Sequence, residues 1–237
     1  MLKQLTIFGD SLLKGVVLNP QNRRYRVAKE FDLEATAQKR GVSLVNLSHF
    51  GSTIEKGMAA VERWLDKGPD CDAVVIEFGG NDSNFQWAEV AAEPTCEHLP
   101  ATPLPRFQQL YQQLLHILKQ HNISPVLVNL PPLCADRYLN WITRDGLDKS
   151  RILQWLGDVN AIYRYQERYS RTIDRLAFEN NCPCLDLRGA FLARLHIHDL
   201  YCEDGIHPNE NGQKLMLRTF EKFLTGAGCG TQLGIRN

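Results

Sequence analysis

The chain has 237 residues, 43% of them hydrophobic and 23% charged, which supplies enough apolar material for a sizeable core and lacks the low-hydrophobicity, high-charge signature of a disordered chain. Its 27 Lys and Arg are balanced by 27 Asp and Glu, so no net field draws in nucleic-acid phosphates or anionic lipid, and nucleic acid is not an expected partner. No apolar run approaches the ~18 to 20 residues that span a bilayer, and the start, Met1-Leu2-Lys3-Gln4-Leu5-Thr6-Ile7-Phe8, lacks the apolar stretch and small-residue cleavage site of a secretory leader, so a cytoplasmic location is expected.

Short apolar runs alternate with longer segments of helical spacing along the whole chain, the pattern of parallel strands joined by crossover helices. The first strand is predicted at Gln4 to Phe8 and leads into Gly9-Asp10-Ser11-Leu12. A serine at the C-terminal end of a buried parallel strand stands at the ligand-binding edge of an open α/β sheet, as a nucleophile requires. The same triplet also forms an ordinary turn in which Asp10 bonds the local backbone. A helix is predicted over Tyr25 to Lys39 and a second strand over Val42 to Leu47. The segment Asn46 to Thr53 follows, in which Gly51 presents an N–H unobstructed by a side chain or simply opens a helix running from Thr53 to Lys67.

The third strand, Ala73 to Phe78, is apolar except for Glu77 and precedes Gly79-Gly80-Asn81-Asp82. Two glycines let the backbone turn sharply near a substrate, and Asn81 offers a neutral amide donor at the same sheet edge. A helix at Arg106 to His121, a strand at Val126 to Leu130, a helix at Lys149 to Glu179 interrupted at Gly157, and a fifth strand at Cys184 to Leu187 follow. Two connections, Asp82 to Pro105 and Pro131 to Asp148, are predicted to be structureless insertions after strand ends. Segments of that kind wall pockets, which makes Phe85, Trp87, Tyr138 and Trp141 candidate substrate contacts, with packing of the loops as the alternative role.

Arg164, Arg168, Arg171 and Arg175 recur at helical spacing opposite an apolar stripe containing Ile162, Tyr169 and Ile173, which reads as a solvated face. Cys182-Pro183-Cys184 is the one close cysteine pair among seven. It lacks the spacing of redox or zinc motifs, so structural thiols are expected. Near the end, Asp204-Gly205-Ile206-His207-Pro208-Asn209 presents a histidine from a loop, because the proline biases His207 toward an extended backbone. An imidazole titrates near neutral pH, about 6.5, which suits a general base, with Asp204 placed to fix its tautomer; a plain surface turn is the alternative. A last helix is predicted over Asn209 to Leu224. The expected organisation is one domain over residues 1–225, a three-layer α/β/α sandwich on a five-stranded parallel sheet, with residues 226–237 a flexible tail.

Three of these segments follow the first three strands at one edge, and the fourth supplies a base with its own carboxylate. In that arrangement the chain resembles the GDSL-type hydrolases of the SGNH family from Gly9 to Gly212. The resemblance implies a flavodoxin-like sandwich and a serine esterase. It makes Ser11 the nucleophile, Asp204 and His207 the remainder of a triad, and the Ser11 N–H, Gly51 and Asn81 the oxyanion donors. Asp10 is a further possible substrate contact. Such a mechanism requires no metal or organic cofactor. The expected substrate is a small acyl ester, an acetyl group on a soluble alcohol or carbohydrate, with acyl transfer, thioester or lysophospholipid cleavage as family alternatives. Two readings from other classes remain: a metal-dependent phosphoesterase drawing on Asp10, Asn81, Asp82, Asp204, His198 and His207, and a non-catalytic binding module.

Overall fold

The computed structural model describes residues 2–226. Its main sheet comprises β1 (Gln4–Gly9), β4 (Ser43–Asn46), β5 (Ala73–Glu77), β6 (Ser124–Val128) and β7 (Cys184–Leu185), ordered β4-β1-β5-β6-β7. All four pairings are parallel. A separate antiparallel hairpin, β2 (Val16–Leu18) with β3 (Tyr25–Val27), lies between β1 and β4 in the chain.

Side chains alternate across a strand, so each central strand feeds two cores. Leu5, Ile7, Val75, Val126 and Val128 pack with α1 (Leu33–Gln38), α8 (Leu187–Leu192) and α9 (Glu210–Leu224). Phe8, Val74, Ile76 and Leu127 pack on the other face with α2 (Ile54–Leu65), α4 (Leu104–Gln120) and α7 (Asn160–Glu179). This is the expected sandwich of helices on both faces of five parallel strands. The four arginines of α7 project to solvent while Ile162, Tyr169 and Ile173 are buried. Gly157, at φ 77°, ends α6 (Lys149–Leu156) just before α7, where the interruption is predicted.

Three expectations need correction. The segment predicted as a helix from Tyr25 to Lys39 begins instead as β3, because the Asn19 side chain accepts hydrogen bonds from Gln21 and Asn22 and closes a hairpin loop. Helix α1 starts only after Asp32, whose carboxylate accepts the Ala35 N–H at 2.7 Å. The fifth strand stops at Leu185 rather than Leu187, since Asp186 caps α8 through the Gly189 N–H. Finally, the two insertions are not structureless: they carry α3 (Trp87–Ala92) and α5 (Ala135–Thr143). With α6 and the start of α7 these form a third apolar cluster through Phe85, Val90, Leu139, Ile152 and Leu156. The predicted tail, from Ala227 on, lies outside the described residues. Among the described residues no helix is long and apolar enough to cross a membrane.

Candidate active site

Ser11 leaves the end of β1 in a tight turn in which its carbonyl accepts the Val16 N–H and the Asp10 carbonyl accepts the Lys14 N–H. Its Oγ lies 2.9 Å from His207 Nε2, and His207 Nδ1 lies 2.7 Å from Asp204 Oδ2. The loop carrying this pair is closed by the Cys202 N–H to His207 carbonyl bond and by an antiparallel bridge between Tyr201 and Pro208. Gly205, at φ 73°, passes so close to the start of α5 that a Cβ there would lie 2.6 Å from the Cys134 carbonyl oxygen. Only glycine fits that approach.

Asp204 is fully buried, and its Oδ1 accepts the backbone N–H groups of Ile206 and His207. Burial alone pushes its pKa up, but the His207 ring and these N–H donors outweigh that and hold the carboxyl below its usual range. Tyr25 was not expected here. Burial, the Asp204 charge and a hydrogen bond to Asp204 all raise its phenol pKa. Its ring centroid lies 4.9 Å from that of His207, while Phe50 stacks on the histidine's ring at 6.1 Å. A tyrosine placed by a hairpin of three-residue strands leaves no periodic signal in the sequence.

Neither the Ser11 N–H nor the Gly51 N–H has an acceptor among the described residues. Gly51 has φ 69° and stands outside the cavity lining, to which its neighbour Phe50 contributes. Asn81 Nδ2 donates to Asp10 Oδ2 at 2.8 Å and to the Ser52 carbonyl at 3.0 Å. Both its protons are therefore directed at protein acceptors, and an oxyanion receives one of them as a shared, three-centre bond. Asp10 lines the cavity, yet its Oδ1 accepts the Leu12 N–H and its Oδ2 the Asn81 amide.

Asp82 performs a different task. Thr53 makes no side-chain cap for α2, and Asp82, fully buried, accepts the Ile54 N–H at 3.0 Å instead, tying the Gly51 segment to the Asn81 segment. Burial raises its pKa from 3.8 to about 7, against the lowering effect of Thr102 and the Ile54 N–H. The folded state thus holds this proton more tightly than the unfolded chain, and the associated stability is lost as pH rises from 3.8 toward about 7. Asp82→Asn keeps an acceptor for Ile54 without the charge. Its stability relative to the parent is expected to rise over that interval and then level off, by at most about 4 kcal/mol at about 1.4 kcal/mol per pH unit; urea unfolding at a series of pH values measures it.

A cavity of about 330 Å³ opens beside Ser11, Asn81 and His207, and all four predicted aromatics, Phe85, Trp87, Tyr138 and Trp141, line it. Several polar groups on its walls are already paired. The Trp87 indole N–H and the Tyr138 hydroxyl both donate to Asn84 Oδ1 at 2.8 Å, Gln166 donates to the Pro131 carbonyl, and Arg144 donates to the Trp141 carbonyl with its guanidinium over the Trp141 ring. The walls thus present mainly apolar surface. Among the described residues no group of three or more His, Cys, Asp or Glu is arranged to hold a metal ion; His198 stands exposed in a 3-10 turn (Ile197–Leu200).

No curated protein matches the chain in sequence. Among solved structures it is similar to the lipase/acylhydrolase from Enterococcus faecalis, at 18% identity and a TM-score of 0.63 over 97% of this chain and 98% of that one. It is also similar to a catalytic mutant of an acetylxylan esterase from Geobacillus stearothermophilus, at 19% identity and a TM-score of 0.63 over 94% of each chain. A third is the psychrotrophic esterase of a Pseudoalteromonas species, inhibited by monoethylphosphonate, at 16% identity and a TM-score of 0.60 over 94% of this chain and 97% of that one. At such identities the likeness shows the shared fold. The family description GDSL-like Lipase/Acylhydrolase matches residues 7–215, a span that opens inside β1, closes inside α9 and takes in every segment that meets at the cavity. The chain therefore belongs to this family of hydrolases.

Proposed function

We propose that the protein is a serine esterase that works through an acyl-enzyme on Ser11. The observation that carries this is the continuous chain Ser11 Oγ, His207 Nε2, His207 Nδ1, Asp204 Oδ2, with links of 2.9 and 2.7 Å. His207 accepts the Ser11 proton as Oγ attacks an ester carbonyl, and the resulting oxyanion is met by the Ser11 and Gly51 N–H groups and by Asn81. His207 then gives the proton to the leaving alcohol and later activates water, or another alcohol, to release the acyl group. A binding module has no use for this combination of base, carboxylate and unpaired donors.

The preferred substrate is a small acyl ester, an acetyl group on a soluble alcohol or carbohydrate, supported by the likeness to an acetylxylan esterase. The apolar, internally paired walls of the cavity favour a second reading, a longer or aromatic acyl group, because sugar hydroxyls entering there find few free partners. A serine-directed organophosphonate is expected to leave one adduct, at Ser11, with ester turnover falling in proportion. An unmodified Ser11 in folded protein sinks the proposal. Turnover of nitrophenyl esters from acetate to octanoate separates the substrates: a flat or falling series supports acetyl, a steep rise the larger acyl group.

A further inference from the structure

Glu77 is the last residue of β5, has no exposure, and lies beneath the residues just described without belonging to the proton relay. Its Oε2 accepts the Asp10 N–H at 3.0 Å, and its Oε1 finds no donor among the described residues. The two carboxyls also lie close enough for each to perturb the other's protonation. This contact is made possible by Gly9, where a Cβ would lie 3.0 Å from Glu77 Oε2 and 3.1 Å from Ser48 Oγ. Two buried carboxyls this close hold one proton between them.

The donors decide which of them keeps it. Burial raises the Asp10 pKa as well, but Asp10 receives the Leu12 N–H and the Asn81 amide and feels the His207 ring, all of which favour its anion over that of Glu77. Glu77 receives one N–H, has Asp10 and Asp82 as charged neighbours, and faces Tyr111 of α4, whose hydroxyl is occupied by Phe78 and brings no positive charge. Ser48, after β4, is the other polar neighbour and does not titrate. Burial first, then the Asp10 charge, pushes the Glu77 pKa well above its ordinary value.

We propose that Glu77 is a positioning residue of the oxyanion site, a carboxyl that is neutral around neutral pH, bonds the Asp10 carboxylate and through it fixes the Asn81 amide. Its neutrality has a second effect. A charged Glu77 would add a second buried anion next to the place where the transition-state oxyanion forms, and repulsion in a low dielectric acts directly on the barrier. The inference rests on the esterase reading above and adds to it the device that holds one donor in place.

The test compares Glu77→Met, which keeps the volume but cannot donate, with Glu77→Gln, which keeps both the acceptor for Asp10 N–H and a donor for its carboxylate. Glu77→Met is expected to lower kcat about 10²-fold with KM within about threefold, since a misplaced donor affects the transition state more than binding. Glu77→Gln is expected to restore kcat to within about threefold of the parent. In the alkaline range the parent loses activity as Glu77 gives up its proton, whereas Glu77→Gln does not. In an Asp82→Asn background, which removes the other raised carboxyl, infrared spectra at pH 7 should show a protonated-carboxyl band that disappears when Glu77→Gln is added, a readout independent of turnover. Parent-like kcat in Glu77→Met, a folded Glu77→Gln as slow as Glu77→Met, or absence of the band overturns the proposal while phosphonate labelling of Ser11 stands. A parent Ser11 that does not label overturns the esterase reading and this inference together.

Discussion

Ser11→Ala is expected to reduce ester turnover by about 10⁶-fold, to the residual level that binding and oxyanion contacts provide in serine hydrolases of unrelated fold. The oxygen lost is the atom that forms the acyl bond, and the nearest alternative hydroxyls have other duties: Ser52 belongs to the α2 start, and Ser83 Oγ is bonded to the Gly80 carbonyl. Removing one hydroxyl that faces the cavity leaves no buried polar atom without a partner except the acceptor His207 Nε2, which water reaches from the same cavity. Stability is therefore expected to change by less than about 1 kcal/mol. Single-turnover kinetics with a nitrophenyl ester and thermal unfolding of the same preparation check both halves. A variant that retains a tenth of the parent's burst of nitrophenol would remove Ser11 as the nucleophile.

Asp204→Asn is expected to lower kcat by about 10⁴-fold through tautomer control. In the parent, Asp204 Oδ2 accepts the Nδ1 proton of His207, which leaves Nε2 unprotonated opposite Ser11 Oγ at 2.9 Å. An asparagine can keep its oxygen on the Ile206 and His207 N–H groups, the bonds that Oδ1 makes now. Its amide nitrogen then stands where Oδ2 was and can only donate. The imidazole is driven to the tautomer with its proton on Nε2, which cannot take the serine's. The nuclear magnetic resonance shift of the Nδ1 proton, present in the parent and lost in the variant, separates this account from general loss of structure.

Much of this architecture was readable from residue pattern because one physical rule governed each piece. Alternation along Leu5 to Phe8 and Ala73 to Ile76 feeds two cores at once, which produces continuous apolar runs and marks buried parallel strands. Gly157 stops one helix, and Asp158, whose carboxylate accepts the Asn160 N–H, opens the next. The elements that escaped lack a period of their own. The β2–β3 hairpin is three residues wide and is held by the Asn19 loop, and α3 and α5 are short helices stabilised by a cluster drawn from four separated segments. Ser11, Asn81, Asp204 and His207 were legible as motif blocks, since each sits in a turn whose glycine or proline punctuates the chain. Glu77 was visible only as a blemish in an apolar strand. Its meaning depends on Asp10, which lies 67 residues earlier and reaches it only through strand pairing.

The bond between Ser11 and His207 joins residues 196 positions apart, and β1 lies between β4 and β5. A ribosome making this protein at about 5 to 20 residues per second delivers the serine first and the histidine last. Every strand of the sheet is synthesised before the base, so on the proposed mechanism a nascent chain can pair its strands while its serine remains an ordinary alcohol. The chemistry switches on only when the loop between Tyr201 and Pro208 docks against α5. On the proposed mechanism, chains that end before His207 are inert toward esters, and the onset of activity during synthesis would serve as a clock for completion of the fold.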